Sequence, residues 1–265
     1  MPQPKSKPIL WTRDEFILTF NLYLKIEYKK INDQNPDVIK LANLINRSPG
    51  SISIRLANFA SVDPYHQQRG AGGLKNGGNT IQLIWDEFYK DREKLLFQSE
   101  QILAQKENTS IEKKFEDILF DTKDLKGEDI LRMVKNRVNQ SVFRQMVLSN
   151  YNNKCAITGI DIPELLLASH IIPWSKNEEH RLNPENGICF SPLYDKAFDK
   201  GLIGINTNHE IIFSDSIKRK KETEFYNKYF SSIENQKIIT AQKYLPRKEF
   251  LEYHLDTIFN KQIIL

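Results

Sequence analysis

Leu165-Leu166-Leu167-Ala168-Ser169-His170-Ile171-Ile172-Pro173-Trp174, then Asn186-Gly187-Ile188-Cys189-Phe190, then Ser191-Pro192-Leu193-Tyr194-Asp195-Lys196-Ala197-Phe198-Asp199-Lys200-Gly201 decide how the second half of this chain folds. The first segment is an apolar run of strand length broken by one polar pair, Ser169-His170, and Pro173 ends it because proline cannot donate to a strand ladder. After a polar loop from Ser175 to Glu185, Asn186-Gly187 marks a turn and Ile188-Cys189-Phe190 a short second strand, so the spacing predicts an antiparallel hairpin. Ser191 then supplies a helix cap, Pro192 a proline in the first helical position, and Gly201 a stop after Lys200. The short helix between them carries Asp195 and Asp199 four residues apart on one face, where like charges repel unless a cation neutralises them. A histidine among aliphatic residues has two readings, a core histidine hydrogen-bonded to a neighbour or a functional one.

Strand, turn, strand and helix, with His170 on the first strand, Asn186 leading into the second and carboxylates on the helix, resembles the ββα-metal arrangement of HNH nucleases. Cys155-Ala156-Ile157-Thr158-Gly159, Ala168 to Trp174, Arg181-Leu182-Asn183-Pro184-Glu185-Asn186-Gly187 and Ser191 to Gly201 together look like the HNH subgroup found in many bacterial restriction endonucleases. Arg137-Val138-Asn139-Gln140-Ser141-Val142-Phe143-Arg144 extends the likeness upstream, so it spans about residues 130 to 205. The resemblance implies that His170 is a general base, that Asn186 holds the base strand and loop, and that Asp195 and Asp199 are ligands of a divalent metal. These roles suit the chemistry. A neutral imidazole can deprotonate water near neutral pH, and a cation stabilises the charge that builds at phosphorus and on the leaving oxygen. Two carboxylates with open positions fit Mg²⁺ or Mn²⁺ better than a closed zinc site. Two positions depart from the family pattern: Ser169 stands where many such modules place Asp or His, and Asp195, beside Tyr194, replaces the last histidine of the motif. The implied partner is double-stranded DNA, with Arg137, Arg144 and Lys154 as candidate phosphate contacts. A single ββα site cuts one strand, so double-strand cleavage implies either a dimer or two binding events, and a homodimer is the expectation.

Upstream, Thr12 precedes Asp14 and Glu15 with capping-box spacing, and Phe16, Phe20, Leu22, Tyr23 and Ile26 recur at helical intervals. Asp37 is the expected cap of a second helix reaching Ile45. Asn46-Arg47-Ser48-Pro49-Gly50 breaks it, and a third helix follows, with Ser51, Ser53, Arg55 and Asn58 as its expected exposed face. Two short helices about a tight turn have the outline of helix-turn-helix DNA readers and equally of an ordinary α-hairpin. From Arg69 to Asn79 the chain holds five of its eleven glycines, and with Arg69 and Lys75 this loop reads either as a phosphate-contacting segment or as a flexible connection. Ile84, Trp85, Phe88 and Tyr89 form one face of a helix that closes this domain near Phe97.

Charge divides along the same lines. Residues 1 to 98 carry net +4, residues 99 to 130 net −4, and residues 131 to 265 net +4. The expected organisation is α+β: a mostly helical DNA-recognition domain (1–98), an acidic helical connector (99–130) and an HNH nuclease domain with a helical C-terminal extension (131–265). Cys155 and Cys189 lack C-x-x-C spacing and read as small buried residues in a reducing compartment. No apolar run approaches a membrane span, and Met1-Pro2-Gln3-Pro4-Lys5 is no signal peptide, so a cytoplasmic protein is expected. Two other readings keep the same fold: a DNA-binding regulator with a degenerate nuclease site, and a toxin-type nuclease without sequence preference. The helical N-terminal region favours a selective DNA enzyme over the toxin.

Overall fold

Thr12 Oγ1 accepts from the Glu15 amide while the Glu15 carboxylate accepts from the Thr12 amide at 2.7 Å, closing the capping box that starts α1 (Arg13–Lys25). Helix α2 (Pro36–Leu44) starts earlier than the sequence predicts. Asn35, not Asp37, is its cap, because Pro36 takes the first helical position and the Asn35 side chain accepts from the Asp37 and Val38 amides. The same device starts α3 (Pro49–Val62), where the Ser48 hydroxyl accepts from the Ser51 amide. There follow α4 (Pro64–Gln67), α5 (Gly78–Tyr89), α6 (Arg92–Lys106), α7 (Ile111–Lys114) and α8 (Glu128–Asn150).

The computed structural model describes residues 10–68, 78–89, 91–118 and 128–259. The chain divides into two units, Met1–Val138 and Asn139–Leu265, with the boundary inside α8. Among the described residues no helix is long and apolar enough to cross a membrane.

The core of the first unit is aromatic. Phe20 stacks on Phe59 at 4.6 Å and on Trp85 at 5.1 Å, and the Tyr23 hydroxyl donates to the Asp63 carboxylate. Closure near Phe97 is corrected by α6, which runs on to Lys106 and packs on α1 with Ser99, Glu100, Ile102 and Ala104 buried. Part of the segment expected as an acidic connector therefore belongs to this core. Glu100 explains how a polar stretch can be interior: Lys25 reaches it at 2.8 Å, Lys114 at 3.4 Å and Asn21 at 3.2 Å. Burial works to raise its pKa, and these partners together hold it below the ordinary carboxylate value.

In the second unit β1 (Leu167–His170) and β2 (Gly187–Phe190) form the expected antiparallel hairpin, with His170 opposite Gly187. Helix α9 (Pro192–Asp199) packs on it. Gly201 ends α9 in the left-handed region at φ 64°, with Leu202 N–H donating to the Ala197 carbonyl at 2.8 Å. A purely helical extension is corrected by a second hairpin, β3 (Ile203–Ile205) and β4 (Ile211–Phe213). Alternating Ile203, Ile205, Ile211 and Phe213 carry its signal in the sequence, and the Asn206 side chain builds its turn by accepting from the Asn208 and Glu210 amides. Then come α10 (Asp215–Lys218), α11 (Glu224–Tyr229), α12 (Lys248–His254) and a π-helical turn, Leu255–Phe259. Phe143 and Val147 of α8, Tyr151 just after it, Ile188 and Phe190 of β2, Phe198 of α9 and Leu251 of α12 are all buried in this unit.

Candidate active site

His170 is the candidate base, and three neighbours hold its ring. Because Gly187 lies opposite it, no cross-strand side chain intervenes, and Phe143 of α8 stacks flat on the imidazole at 4.0 Å with 14° between planes. A methyl group at 187 would lie 2.4 Å from Val147 Cγ2 and 2.8 Å from Phe143 Cζ, so only glycine lets helix and hairpin approach this closely. Trp174 meets the ring edge-on at 5.5 Å. Finally, Nε2 lies 2.8 Å from the Arg181 carbonyl oxygen. A carbonyl oxygen only accepts, so Nε2 carries the proton and the Nδ1 lone pair is left to take one. Burial lowers the His170 pKa and the Arg181 charge adds to this, against the opposing effect of the Arg181 carbonyl, so the imidazole is neutral at pH 7.

Asn186 sets the loop that carries this carbonyl. It is fully buried; its Oδ1 accepts from Ile172 N–H at 2.8 Å, and its Nδ2 donates to the carbonyls of Ile172 (3.1 Å) and His180 (3.2 Å). One amide thus pins the continuation of β1 and the residue beside Arg181. Its contacts are all with backbone, which makes it a candidate positioning group for the loop beside His170. From the other side of the same loop, Arg247 pairs with the Glu185 carboxylate, and its amide donates to the Glu185 carbonyl.

Asp195 and Asp199 sit on α9, Asp195 half-buried and Asp199 exposed at the helix end. The Asp199 pKa is raised, first by partial desolvation and then by the Asp195 charge, while Lys196 and Lys200 oppose the rise. The two carboxylates are therefore close enough to repel, which is the condition a cation relieves. On β1 the Ser169 hydroxyl is buried without a hydrogen-bond partner. Among the described residues no group of three or more His, Cys, Asp or Glu side chains is placed to hold a metal ion together. The donor set, two carboxylates four residues apart on one helix, fits a hard cation that keeps most of its coordination for water and phosphate. Tyr194 is not part of it, since its hydroxyl donates to the Tyr229 carbonyl at 2.6 Å and ties α9 to α11. Ser191 occupies the cap position of α9, but its side chain makes no cap hydrogen bond; its amide instead donates to Cys155 Sγ at 3.2 Å. Both cysteines are buried and free, as expected of small interior residues.

The candidate DNA contacts fare differently. Arg137 and Lys154 are exposed. Arg144 is half-buried, and its guanidinium donates to the carbonyls of Leu166 and Pro163, holding the chain just before β1. Arg55 lies over the Trp11 ring at 5.1 Å and near Phe16 at 5.8 Å. Asn58, expected on the exposed face of α3, is buried at 2% exposure, because the helix turns it toward the unit's core. Arg69 and Lys75 lie outside the described residues.

Sequence reasoning missed Phe143 as the platform of the base, the Arg181 backbone as its orienting acceptor, and His254 as the brace of α9. A helical position four residues before Val147 signals burial of Phe143 but not its stacking on a histidine. No curated protein matches the chain. The segment that contains the hairpin, His170, Asn186 and α9, residues 155–206, matches the family model described as HNH endonuclease, which assigns this part of the molecule to an HNH endonuclease domain.

Proposed function

We propose that the protein is a metal-dependent endonuclease that hydrolyses phosphodiester bonds of double-stranded DNA, in the manner of a restriction enzyme acting on foreign DNA. The observation that carries this reading is the state of His170: neutral, clamped through Nε2–H, with Nδ1 bonded to no described residue. Nδ1 accepts the proton of a water molecule as its oxygen attacks phosphorus, and the bond to the leaving oxygen breaks. Phe143 and Trp174 fix the ring plane, and Asn186 with the Arg181 carbonyl fixes the tautomer. Asp195 and Asp199 would hold the divalent cation, whose positive charge stabilises the phosphate as negative charge builds on it. Exposed Arg137 and Lys154 are the phosphate contacts of this reading, and the α2–α3 pair is a candidate reader of DNA sequence. In this reading, cutting both strands takes either two chains or two successive binding events.

The test is plasmid cleavage with Mg²⁺ or Mn²⁺, with chelator and with His170→Ala, on unmodified, methylated and hydroxymethylated DNA. Metal-dependent nicking that the substitution abolishes supports the reading. DNA binding without cutting of any of these substrates would replace it with the regulator.

A further inference from the structure

Arg181 joins two halves of the site. Its carbonyl orients His170, and its guanidinium lies over Trp174, 5.0 Å from the ring centroid, on the same indole that packs edge-on against the His170 ring. The side chain is 13% exposed, and Nε is buried with no hydrogen-bond partner among the described residues. Its described ion pair is with Glu178, three residues earlier, at 2.8 Å, and that carboxylate is 91% exposed.

An arginine in this setting has a largely desolvated planar fork with donors to spare, held in place by an aromatic face. Its counter-ion stands in solvent, where water and salt compete for it freely. A phosphodiester presents two charged oxygens to such a fork and can replace one exposed carboxylate at little cost. The position matters as much as the chemistry: the guanidinium and the base share one aromatic ring, so an anion bound here lies at the edge of the reacting centre.

We propose that Arg181 anchors the DNA phosphate beside the cleavage position, and that Glu178 is an exchangeable placeholder that releases Arg181 when DNA binds. This rests on the nuclease reading for its substrate, a DNA duplex, but makes its own demand on binding. Glu178 and Arg181 must be coupled, because the carboxylate opposes DNA only by occupying the arginine.

The experiment measures binding of a duplex oligonucleotide to the full chain carrying His170→Ala, over a range of salt concentrations, with Arg181→Gln, Glu178→Gln and both together added. Glu179→Gln, an exposed neighbour, controls for loss of one negative charge. Arg181→Gln is expected to weaken binding roughly tenfold and to reduce the slope of log affinity against log salt by about one. Glu178→Gln should tighten binding several-fold, and this gain should vanish when Arg181→Gln is present. Glu179→Gln should give the same small change in either background. Additive effects of the Glu178 and Arg181 substitutions, or an unchanged salt slope in Arg181→Gln, overturn the anchor even if wild type nicks plasmid. The coupled pattern in a protein that cuts no substrate leaves the anchor standing and removes the nuclease reading. Failure of the His170→Ala protein to bind duplex DNA overturns both. Should Arg181→Gln melt well below its parent, Arg181→Lys and the exposed Glu178→Gln carry the test, the lysine keeping the salt slope and losing the two-oxygen grip.

Discussion

Two histidines in the second unit are held in nearly the same way and differ in exposure. His170 stacks on Phe143 at 4.0 Å and donates Nε2–H to the Arg181 carbonyl; His254 stacks on Phe198 at 3.7 Å and donates Nε2–H to the Phe198 carbonyl at 3.0 Å. Burial lowers both pKa values, that of His254 to about 4. The difference lies at Nδ1. His254 is 1% exposed and its Nδ1 is buried without a partner among the described residues, whereas His170 is half-buried. A lowered pKa and a fixed tautomer are therefore common to both rings, and under the nuclease reading only the partly exposed one can meet a water molecule. His254 holds the last turn of α9 through its bond to the Phe198 carbonyl, next to Asp199.

The largest expected effect separates the two directly. His170→Ala should lower the plasmid-nicking rate by about 10² to 10⁴-fold, the contribution of a positioned general base, while His254→Leu should lower the melting temperature and leave most of the rate in the folded protein. Loss of nicking in His254→Leu below its melting transition, at wild-type levels of folded protein, would collapse the distinction.

Asn186→Ala probes how the His170 corner is built. It strips partners from the buried Ile172 amide and from two carbonyls, and should cost about 2 to 4 kcal/mol of stability by urea unfolding, with a nicking rate that falls further than the folded fraction does. A rate that merely tracks the folded fraction would show that the loop carrying Arg181 holds its place without the amide.

The pH dependence of stability tests the His254 corner. The folded pKa is depressed below the unfolded value, so the native state prefers the neutral ring. Its contribution is complete above about pH 6.5 and is lost as the pH falls through that value toward 4, by up to about 3 kcal/mol. Thermal melts of wild type and His254→Leu over this range should show a shallower slope in the variant. Parallel slopes would mean that His254 is protonated in the folded state without penalty.

The smallest expected effect concerns Arg144. With its donors on the Leu166 and Pro163 carbonyls, Arg144→Met should cost about 1 kcal/mol of stability and leave the salt dependence of DNA binding unchanged. A reduced salt slope with unchanged melting would restore it as a phosphate contact.

Much of the second unit was legible in order along the chain. The hairpin, the proline at the start of α9 and its glycine stop follow from local rules, and so does the spacing that puts Asp195 and Asp199 on one face. The capping box of α1 was legible for the same reason, since its partners are three residues apart. Contacts distant in sequence were not legible. Arg144 looked like one more basic residue near a nucleic-acid site, and only folding brings it to carbonyls at 163 and 166. Glu100 looked like connector charge, and only the approach of α1 and Lys114 makes its burial tolerable.

The sequence by itself determined which residues have the right chemistry, a histidine on a strand, an asparagine before a glycine and two carboxylates one helical turn apart, because each of these patterns is short and governed by backbone geometry. Only the tertiary structure decided what His170 is. Phe143 from α8 stacks on one face, Gly187 makes room for it, and a carbonyl eleven residues downstream takes one ring proton. The tautomer of an imidazole and its exposure depend on what surrounds it in space; the two rings share the tautomer, and exposure is what distinguishes His170 from the equally well-packed His254.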